Sequence, residues 1–382
     1  THQHPVNHLD NTLSFEIKRD NQALTIDEKA KLAAGILTAM TLTKNFAPIV
    51  LLVGHGSHTT NNAQAASLDC GACGGQTGEI NARILASLLN NNEVRIALDK
   101  LGIFIPQTTR FIAALHNTTN DEIQVFDNAL PTEIDNWLSA AQLSCQQARA
   151  SKLNAPSTDT KQLFKWFNQT CHDWSAIRPE WGLANNAALI VAKRHKTKHM
   201  DLKGRCFLHE YDWQQDTDFS ILELIMTAPM VVTNWINSQY NASVADNRVY
   251  GSGNKLLHNV VGGHIGLFEG NGGDLRIGLA MQSIHNGHDW MHECIRLSVY
   301  IDAPKAEIEK VANKHSIVKQ LIDNDWLYLH CLPNETQGIE RYYKNSWHLK
   351  HPSATLKNGQ KQHRNSNGLS VRAALEKEAF IE

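Results

Sequence analysis

Residues 46–91 read FAPIVLLVGHGSHTTNNAQAASLDCGACGGQTGEINARILASLLNN and contain three successive patterns. Phe46–Val53 is a short continuous apolar run that ends at Gly54, which is typical of a strand buried on both faces. A polar loop rich in glycine follows. Beyond it, apolar residues recur at helical spacing, namely Ile80, Ile84, Leu85, Leu88 and Leu89. The stretch therefore predicts a strand, a long loop and a helix.

The same alternation continues along the chain. Further strands are predicted over Arg110–His116, Glu122–Phe126, Ala187–Ala192, Cys206–Tyr211, Ile295–Ile301 and Trp326–His330. Helices are predicted between them, including one from Phe219 to about Tyr240 that bends near Pro229. This pattern predicts an α/β fold with a largely parallel sheet flanked by helices. Ligands of such sheets gather beyond the carboxyl ends of the strands, where His55 is expected.

The segment NAPSTDT, residues 154–160, is the best candidate for a linker. We therefore expect an α/β domain over residues 1–153 and a second α/β or α+β portion over residues 161–348. Residues 349–382 are expected to form a polar tail.

The composition excludes several classes of protein. Lys and Arg number 36 against 38 Asp and Glu, so no overall positive field favours nucleic acid. No apolar run is long and uninterrupted enough for a membrane span, and the first residues lack the pattern of a signal peptide. Seven cysteines, an odd number in a long chain, indicate reduced thiols and a cytoplasmic location.

The loop after the first strand has the residues of a metal site. His55 precedes Cys70 by 15 positions, and Cys70 and Cys73 form a C-x-x-C pair beside several glycines. Imidazole and thiolate are the ligands that zinc prefers. The same pair could instead be a redox couple or two small buried residues. No second ligand pair follows at zinc-finger spacing.

Three other segments have alternative interpretations. The glycine-rich stretch 246–278 could cradle a phosphate, but tight turns with Asn247, Arg248 and Lys255 as polar contributors are favoured. The basic run KRHKTKH, residues 193–199, could touch lipid headgroups or a membrane subunit, although a solvated loop is favoured. His116 could reach the metal loop or cap its strand.

Several motifs closely resemble the C-terminal half of the DabA family of inorganic carbon transporter subunits. They are GHGS (54–57), LDCGACGG (68–75), GEINAR (78–83), HNTTND (116–121), RPEWGLANNAA (178–188), MTAPMVV (226–232), DNRVYGSGNKLLHNVVG (246–262) and EGNGGDLRIGL (269–279). The resemblance covers about residues 45–345.

The resemblance implies a zinc site like that of β-carbonic anhydrases, with two Cys, one Asp and one His as ligands. It places two of these ligands on His55 and Cys70, whereas Cys73 is not a ligand in the family pattern. It also implies energy-coupled uptake of carbon dioxide as bicarbonate at the cytoplasmic face of the bacterial inner membrane. The expected partner is a membrane-embedded subunit of the DabB type.

One part of the family pattern is absent. The other ligands lie in an upstream C-x-D-x-R motif, and residues 1–54 contain no cysteine. Cys171 and Asp173 form the only other C-x-D, but Trp174 and Ser175 follow it, and it lies on the wrong side of His55. We therefore expect a C-terminal fragment or split portion that has half of a zinc site and is inactive alone. The alternatives are an assembly module with a structural metal and a redox protein that uses Cys70 and Cys73.

Overall fold

A computed structural model describes most of the chain. The described residues are 16–58, 77–126, 130–153, 155–156, 159–173, 183–251, 278–279, 281–332 and 338–349. The predicted ligand Cys70, its neighbour Cys73 and nearly all of the predicted polar tail lie outside them. The chain divides into two units, and the described residues up to Asp173 belong to the first and those from Leu183 to the second.

The first unit contains five described helices and five described strands. The helices are α1 Ile26–Ala39, α2 Glu79–Asn90, α3 Asn92–Lys100, α4 Thr132–Ala150 and α5 Thr160–His172. The strands are β1 Lys18–Arg19, β2 Gln22–Ala23, β3 Ile49–Gly56, β4 Arg110–Asn117 and β5 Glu122–Val125.

The principal sheet of this unit has the order β3-β4-β5. β3 and β4 are parallel, with Ile49 opposite Arg110 and His55 opposite His116. β5 returns antiparallel to β4 after a tight corner. The three predicted strands are therefore present, and the β3–β4 pair has the parallel arrangement expected for strands joined by helices.

Helices α1, α2 and α3 cover one face of this sheet. Leu52 of β3 and Phe111 of β4 pack there against Leu37, Leu89 and Leu98 of the helices. Thr25 begins α1 with a capping box, in which its side chain and that of Glu28 each accept a hydrogen bond from the other residue's backbone N–H.

The helical pattern that follows the polar loop forms two helices, α2 and α3, rather than one. Asn91 ends α2 in an extended conformation, and its side chain accepts a hydrogen bond from the N–H of Val94, so that it caps α3. Helix α5 packs on α4 through Leu163 and Phe167 against Ala150. The expected domain boundary between residues 153 and 161 therefore falls between two helices that pack together.

The second unit contains a six-stranded sheet. Its strands are β6 Ala188–Val191, β7 Cys206–His209, β8 Leu297–Ile301, β9 Leu327–Cys331, β10 Glu340–Tyr343 and β11 Ser346–Leu349, in the order β11-β10-β9-β8-β6-β7. Its described helices are α6 Ser220–Thr227, α7 Pro229–Ala245, α8 Lys305–Lys314 and α9 Ser316–Asp323.

Four of these strands are parallel, and β10 and β11 form an antiparallel hairpin at one edge. Side chains of α6, α7, α8 and α9 pack against one face of the sheet in a single apolar core. The predicted mixed α/β fold with a largely parallel sheet is confirmed. No helix among the described residues combines the length and the apolar character that a membrane crossing requires.

Candidate functional site

His55 lies at the carboxyl end of β3 with its side chain exposed. In the parallel ladder it stands directly opposite His116 of β4, so the two imidazoles project from the same face of the sheet. This position agrees with the prediction that His55 follows a strand. The sequence did not predict the register that brings His116 beside it.

Two glycines bring the start of α2 against the end of β3. The N–H of Gly78 donates to the carbonyl of His55 at 2.8 Å. A Cβ on Gly54 would lie 2.5 Å from the carbonyl carbon of Gly78, so the two backbones are in contact. The carbonyl group of His55 is therefore held in place by the chain that returns at Gly78.

His116 belongs to a chain of three polar side chains. Its Nε2 lies 3.3 Å from Oδ1 of Asp121, and the other carboxylate oxygen of Asp121 pairs with Nη2 of Arg149. The guanidinium of Arg149 also lies over the ring of Phe167, 4.9 Å from its centre. Asp121 is only 8% exposed, so the pair fixes the orientation of one imidazole at this edge.

The corner between β4 and β5 holds the last residue of β3 and the first residues after it. The carbonyl of Gly56 accepts hydrogen bonds from the N–H and the hydroxyl of Thr118, at 2.8 Å and 3.2 Å. The N–H of His58 donates to Oγ1 of Thr119 at 3.3 Å. The hydroxyl of Thr119 lies within donating distance of Asn117 Oδ1 and of the His58 carbonyl, at 2.6 Å and 3.1 Å.

Side chains of helix α4 donate hydrogen bonds to the backbone of this corner. Gln146 and Gln142 donate to the carbonyl of Asn120 at 2.7 Å and 3.2 Å, and Arg149 donates to that of Thr118 at 3.1 Å. Thr119 is fully buried. The HNTTND motif is thus a rigid corner between α4 and the loop that begins at Ser57.

The titratable groups near this corner include a cysteine. Partial desolvation raises the pKa of the Cys145 thiol although the residue is exposed, and the negative charge of Asp121 adds to this rise while the positive charge of Arg149 opposes it. Cys145 is therefore a neutral thiol at pH 7 rather than a thiolate ready to bind a metal.

The alternative C-x-D sequence lies at the end of α5. Cys171 is 2% exposed, while the ring of His172 lies 5.1 Å from that of His58. The end of α5 is therefore close to the loop after β3. Nevertheless, no group of three His, Cys, Asp or Glu residues within the described ranges could hold a metal ion.

Other predicted segments have partners elsewhere. In the basic run, Lys193 pairs with Asp212 at 2.9 Å, and Lys196 pairs with the buried Asp302 at 2.7 Å. Asn247 donates to the carbonyls of Ser243 and Leu279, which is consistent with a turn-supporting role. Lys255 lies outside the described residues.

His55, the one member of the predicted ligand pair that the structure describes, has the chemistry of a metal ligand. His55 offers an exposed imidazole at the edge where parallel strands end, whereas Cys70 lies outside the described residues. Sequence reasoning missed Gly78, Thr119, Asp121 and Arg149 as positioning residues. Only the turn-forming composition of HNTTND directly after a strand could have indicated the corner.

The fold and this edge define an α/β protein whose candidate site lies at the carboxyl ends of parallel strands. Residues 2–327 match the family model described as "Probable inorganic carbon transporter subunit DabA". The chain belongs to the DabA family.

Several curated relatives of this chain have the same description as the family model. A Marinomonas protein is 54% identical over 353 residues, covering 91% of this chain and 43% of the relative. A Hydrogenovibrio crunogenus protein is 56% identical over 349 residues, covering 91% and 42%. A Vibrio cholerae protein is 50% identical over 351 residues, covering 87% and 40%. The chain thus spans about two fifths of the length of these relatives. No solved structure matches it.

Proposed function

We propose that this chain is the part of an inorganic carbon transporter subunit that supplies His55 and Cys70 to a zinc site. In the proposal, the completed site converts carbon dioxide to bicarbonate. The observation that carries the proposal is the exposed imidazole of His55 at the carboxyl end of β3, in a chain that belongs to the DabA family.

Zinc, when bound, would lower the pKa of a water molecule to about 7 and make hydroxide available for attack on carbon dioxide. The residues of this chain would bind and orient. His55 projects from a strand whose end is tied to Gly78, and Thr118 and Thr119 hold Gly56 and His58 in place. This rigid support suits a ligand that must keep one orientation.

Two protein ligands bind zinc weakly, because catalytic zinc sites use three or four. The described residues contain no set of three that could replace the missing ligands. We therefore expect the chain alone to have no appreciable hydration activity. A segment with the family's C-x-D-x-R motif would have to complete the site.

The proposal includes a place of action. The relatives are described as probable inorganic carbon transporter subunits, and a subunit implies at least one partner subunit. We propose that the chain acts peripherally at the cytoplasmic face of the bacterial inner membrane, on a membrane-embedded subunit of the DabB type. Coupling to an energy source would depend on that partner.

The test is the zinc content of the purified chain, measured by mass spectrometry alone and together with the remaining part of the Marinomonas relative. We expect stoichiometric zinc only in the mixture, and its loss in the His55→Ala and Cys70→Ala variants. His172→Ala is the matched control, because it removes an exposed histidine near the same loop and should retain zinc.

Two results would contradict the proposal. Stoichiometric zinc in the chain alone that requires Cys73 would indicate a structural metal site. Reversible loss of activity on oxidation of Cys70 and Cys73, without zinc in the mixture, would indicate a redox protein.

A further inference from the structure

The outer edge of β3 offers unpaired backbone groups. In a parallel ladder, alternate residues direct both their N–H and their C=O to the same neighbouring strand. The carbonyls of Pro48 and Gly56 accept from Arg110 and Thr118, on the β4 side. Even-numbered residues of β3 therefore face β4, and Leu51 and Val53 face the opposite side.

These outward groups have no partner within the part of the chain that the structure describes. There, β4 is the only strand paired with β3. No described hydrogen bond uses the outward N–H and C=O of Leu51 or Val53. At the far end of the strand, Gly78 already occupies the carbonyl of His55. The open edge is thus the segment Ile49–Val53.

Nothing in the sequence of β3 protects this edge. Proteins usually guard exposed edge strands with charged residues, proline or bulges. Phe46–Ser57 contains no acidic residue, lysine or arginine, and its one proline precedes the strand. Val53 is 45% exposed although it belongs to the apolar run Phe46–Val53, of which it is the last residue. An edge of this kind pairs readily with another extended segment.

The two faces of β3 are covered unequally, because on the face opposite α1–α3 Leu51 is half-buried and Val53 is exposed. Val50 and Leu52 pack against the α1–α3 side, whereas Leu51 and Val53 point to the other face. Parallel strands are generally buried on both faces. Added polypeptide at this edge would therefore satisfy the outward backbone groups and cover the exposed side chain of Val53.

We propose that β3 accepts a parallel strand along Ile49–Val53, and that this strand comes from the part of DabA proteins that this chain does not match. More than half of each relative lies outside the match, so the occupant is available in every one of them. The direction of the strand rests on the proposed function. Only a parallel strand ends beside His55, where the residues that follow it could complete a metal site.

A second copy of this chain is the main competing occupant. Two β3 edges related by a twofold axis perpendicular to the sheet would pair antiparallel. That arrangement would bury Val53 but would bring the start of one strand beside the end of the other. It predicts protection that depends on the concentration of the chain alone.

The test is backbone hydrogen exchange, measured on the chain alone and with the remaining part of the Marinomonas relative. We expect the amides of Leu51 and Val53 to exchange at least about tenfold more slowly in the mixture. Leu52 is the internal control, because its N–H already faces β4. Unchanged exchange at Leu51 and Val53 would overturn the proposal, as would concentration-dependent protection in the chain alone.

A charge on the edge should block pairing. We expect Val53→Lys to abolish the protection, whereas Ile96→Lys, at an exposed position of α3, should leave it intact. Cysteine pairs that join Ile49 to either end of the added strand would establish its direction. Protection of the β3 amides in a mixture that binds no zinc would contradict the proposed function but not the strand pairing. Zinc binding without protection of these amides would contradict the strand pairing but not the proposed function.

Discussion

Gly54 and Gly78 contact each other through their backbones, although 23 residues separate them in the chain. A Cβ on Gly54 would lie 2.5 Å from both the carbonyl carbon and the carbonyl oxygen of Gly78. A Cβ on Gly78 would lie 2.8 Å from the Cα of Gly54. Because these neighbours are backbone atoms, a side chain at either position must displace the start of α2 from the end of β3.

We therefore expect Gly54→Ala to lower the free energy of unfolding of the first unit by about 1–3 kcal/mol, the usual cost of overpacking. Gly35→Ala is the matched control, since no atom lies within 4 Å of its added Cβ in α1. That variant should be stabilised by up to about 1 kcal/mol. Urea unfolding measures both, and equal stability of the two variants would contradict the close contact.

Thr119 should control the order of the residues after β3. Thr119→Val removes the hydroxyl that pairs with the backbone of His58, and we expect the amide of His58 to exchange faster. Thr118→Val is the control, because its backbone N–H keeps the bond to Gly56. Hydrogen exchange measured by nuclear magnetic resonance separates the two, and equal effects would argue against a special role for Thr119.

The pair between Asp121 and Arg149 should be strongly coupled. Their side chains are only 10% and 18% exposed, so little water screens them. A double-mutant cycle with Asp121→Asn and Arg149→Met should give a coupling free energy of about 1–3 kcal/mol.

The exposed pair of Lys319 and Asp323, at 38% and 42% exposure, is the control for this cycle. Its coupling should be below about 1 kcal/mol. A similar value for both pairs would show that burial does not strengthen the first.

His292 should make the second unit sensitive to acid. Burial, helped by the positive charge of Arg205, lowers the pKa of His292 from its ordinary value of about 6.5 to about 4. Its Nδ1 accepts from the N–H of Asn185, so the proton is on Nε2, which donates to Asn241 at 2.7 Å. Protonation would destroy this arrangement.

The unfolded chain binds a proton near pH 6.5 and the folded chain only near pH 4. Stability is therefore complete above pH 6.5 and falls as the pH drops toward 4, by about 3 kcal/mol in total. Unfolding followed by hydrogen exchange in β6 would measure this slope. The decrease in stability with falling pH should become smaller in His292→Gln and should remain in His288→Gln, which changes an exposed histidine.

The elements around the candidate site were predictable because their signals are local. Apolar runs identified β3 and β4, and helical spacing identified α2. The break between α2 and α3 was missed because the capping side chain of Asn91 interrupts an otherwise continuous apolar pattern. Near Pro229 the sequence predicts one bent helix, whereas the structure has two helices divided at Ala228.

The hairpin of β10 and β11 escaped prediction because its strands carry charged and polar residues. Its turn is formed by Lys344 and Asn345, both in the left-handed conformation that tight hairpins require. The contacts of Thr119 and Arg149 were missed for a different reason. Their partners are 28 to 61 positions away, and periodicity conveys nothing about such distances.

The corner that holds Gly56 and His58 also has a consequence for how the protein folds. The hydrogen bonds that Thr118 and Thr119 donate to the carbonyls of Gly56 and His58 join residues 62 and 61 positions apart, whereas β4 and β5 are joined by a short turn. Loop closure costs chain entropy before long-range contacts repay it, so the β4–β5 hairpin should form first and capture β3 afterwards. We expect the edge that carries His55 to be among the last parts of the first unit to acquire its native order.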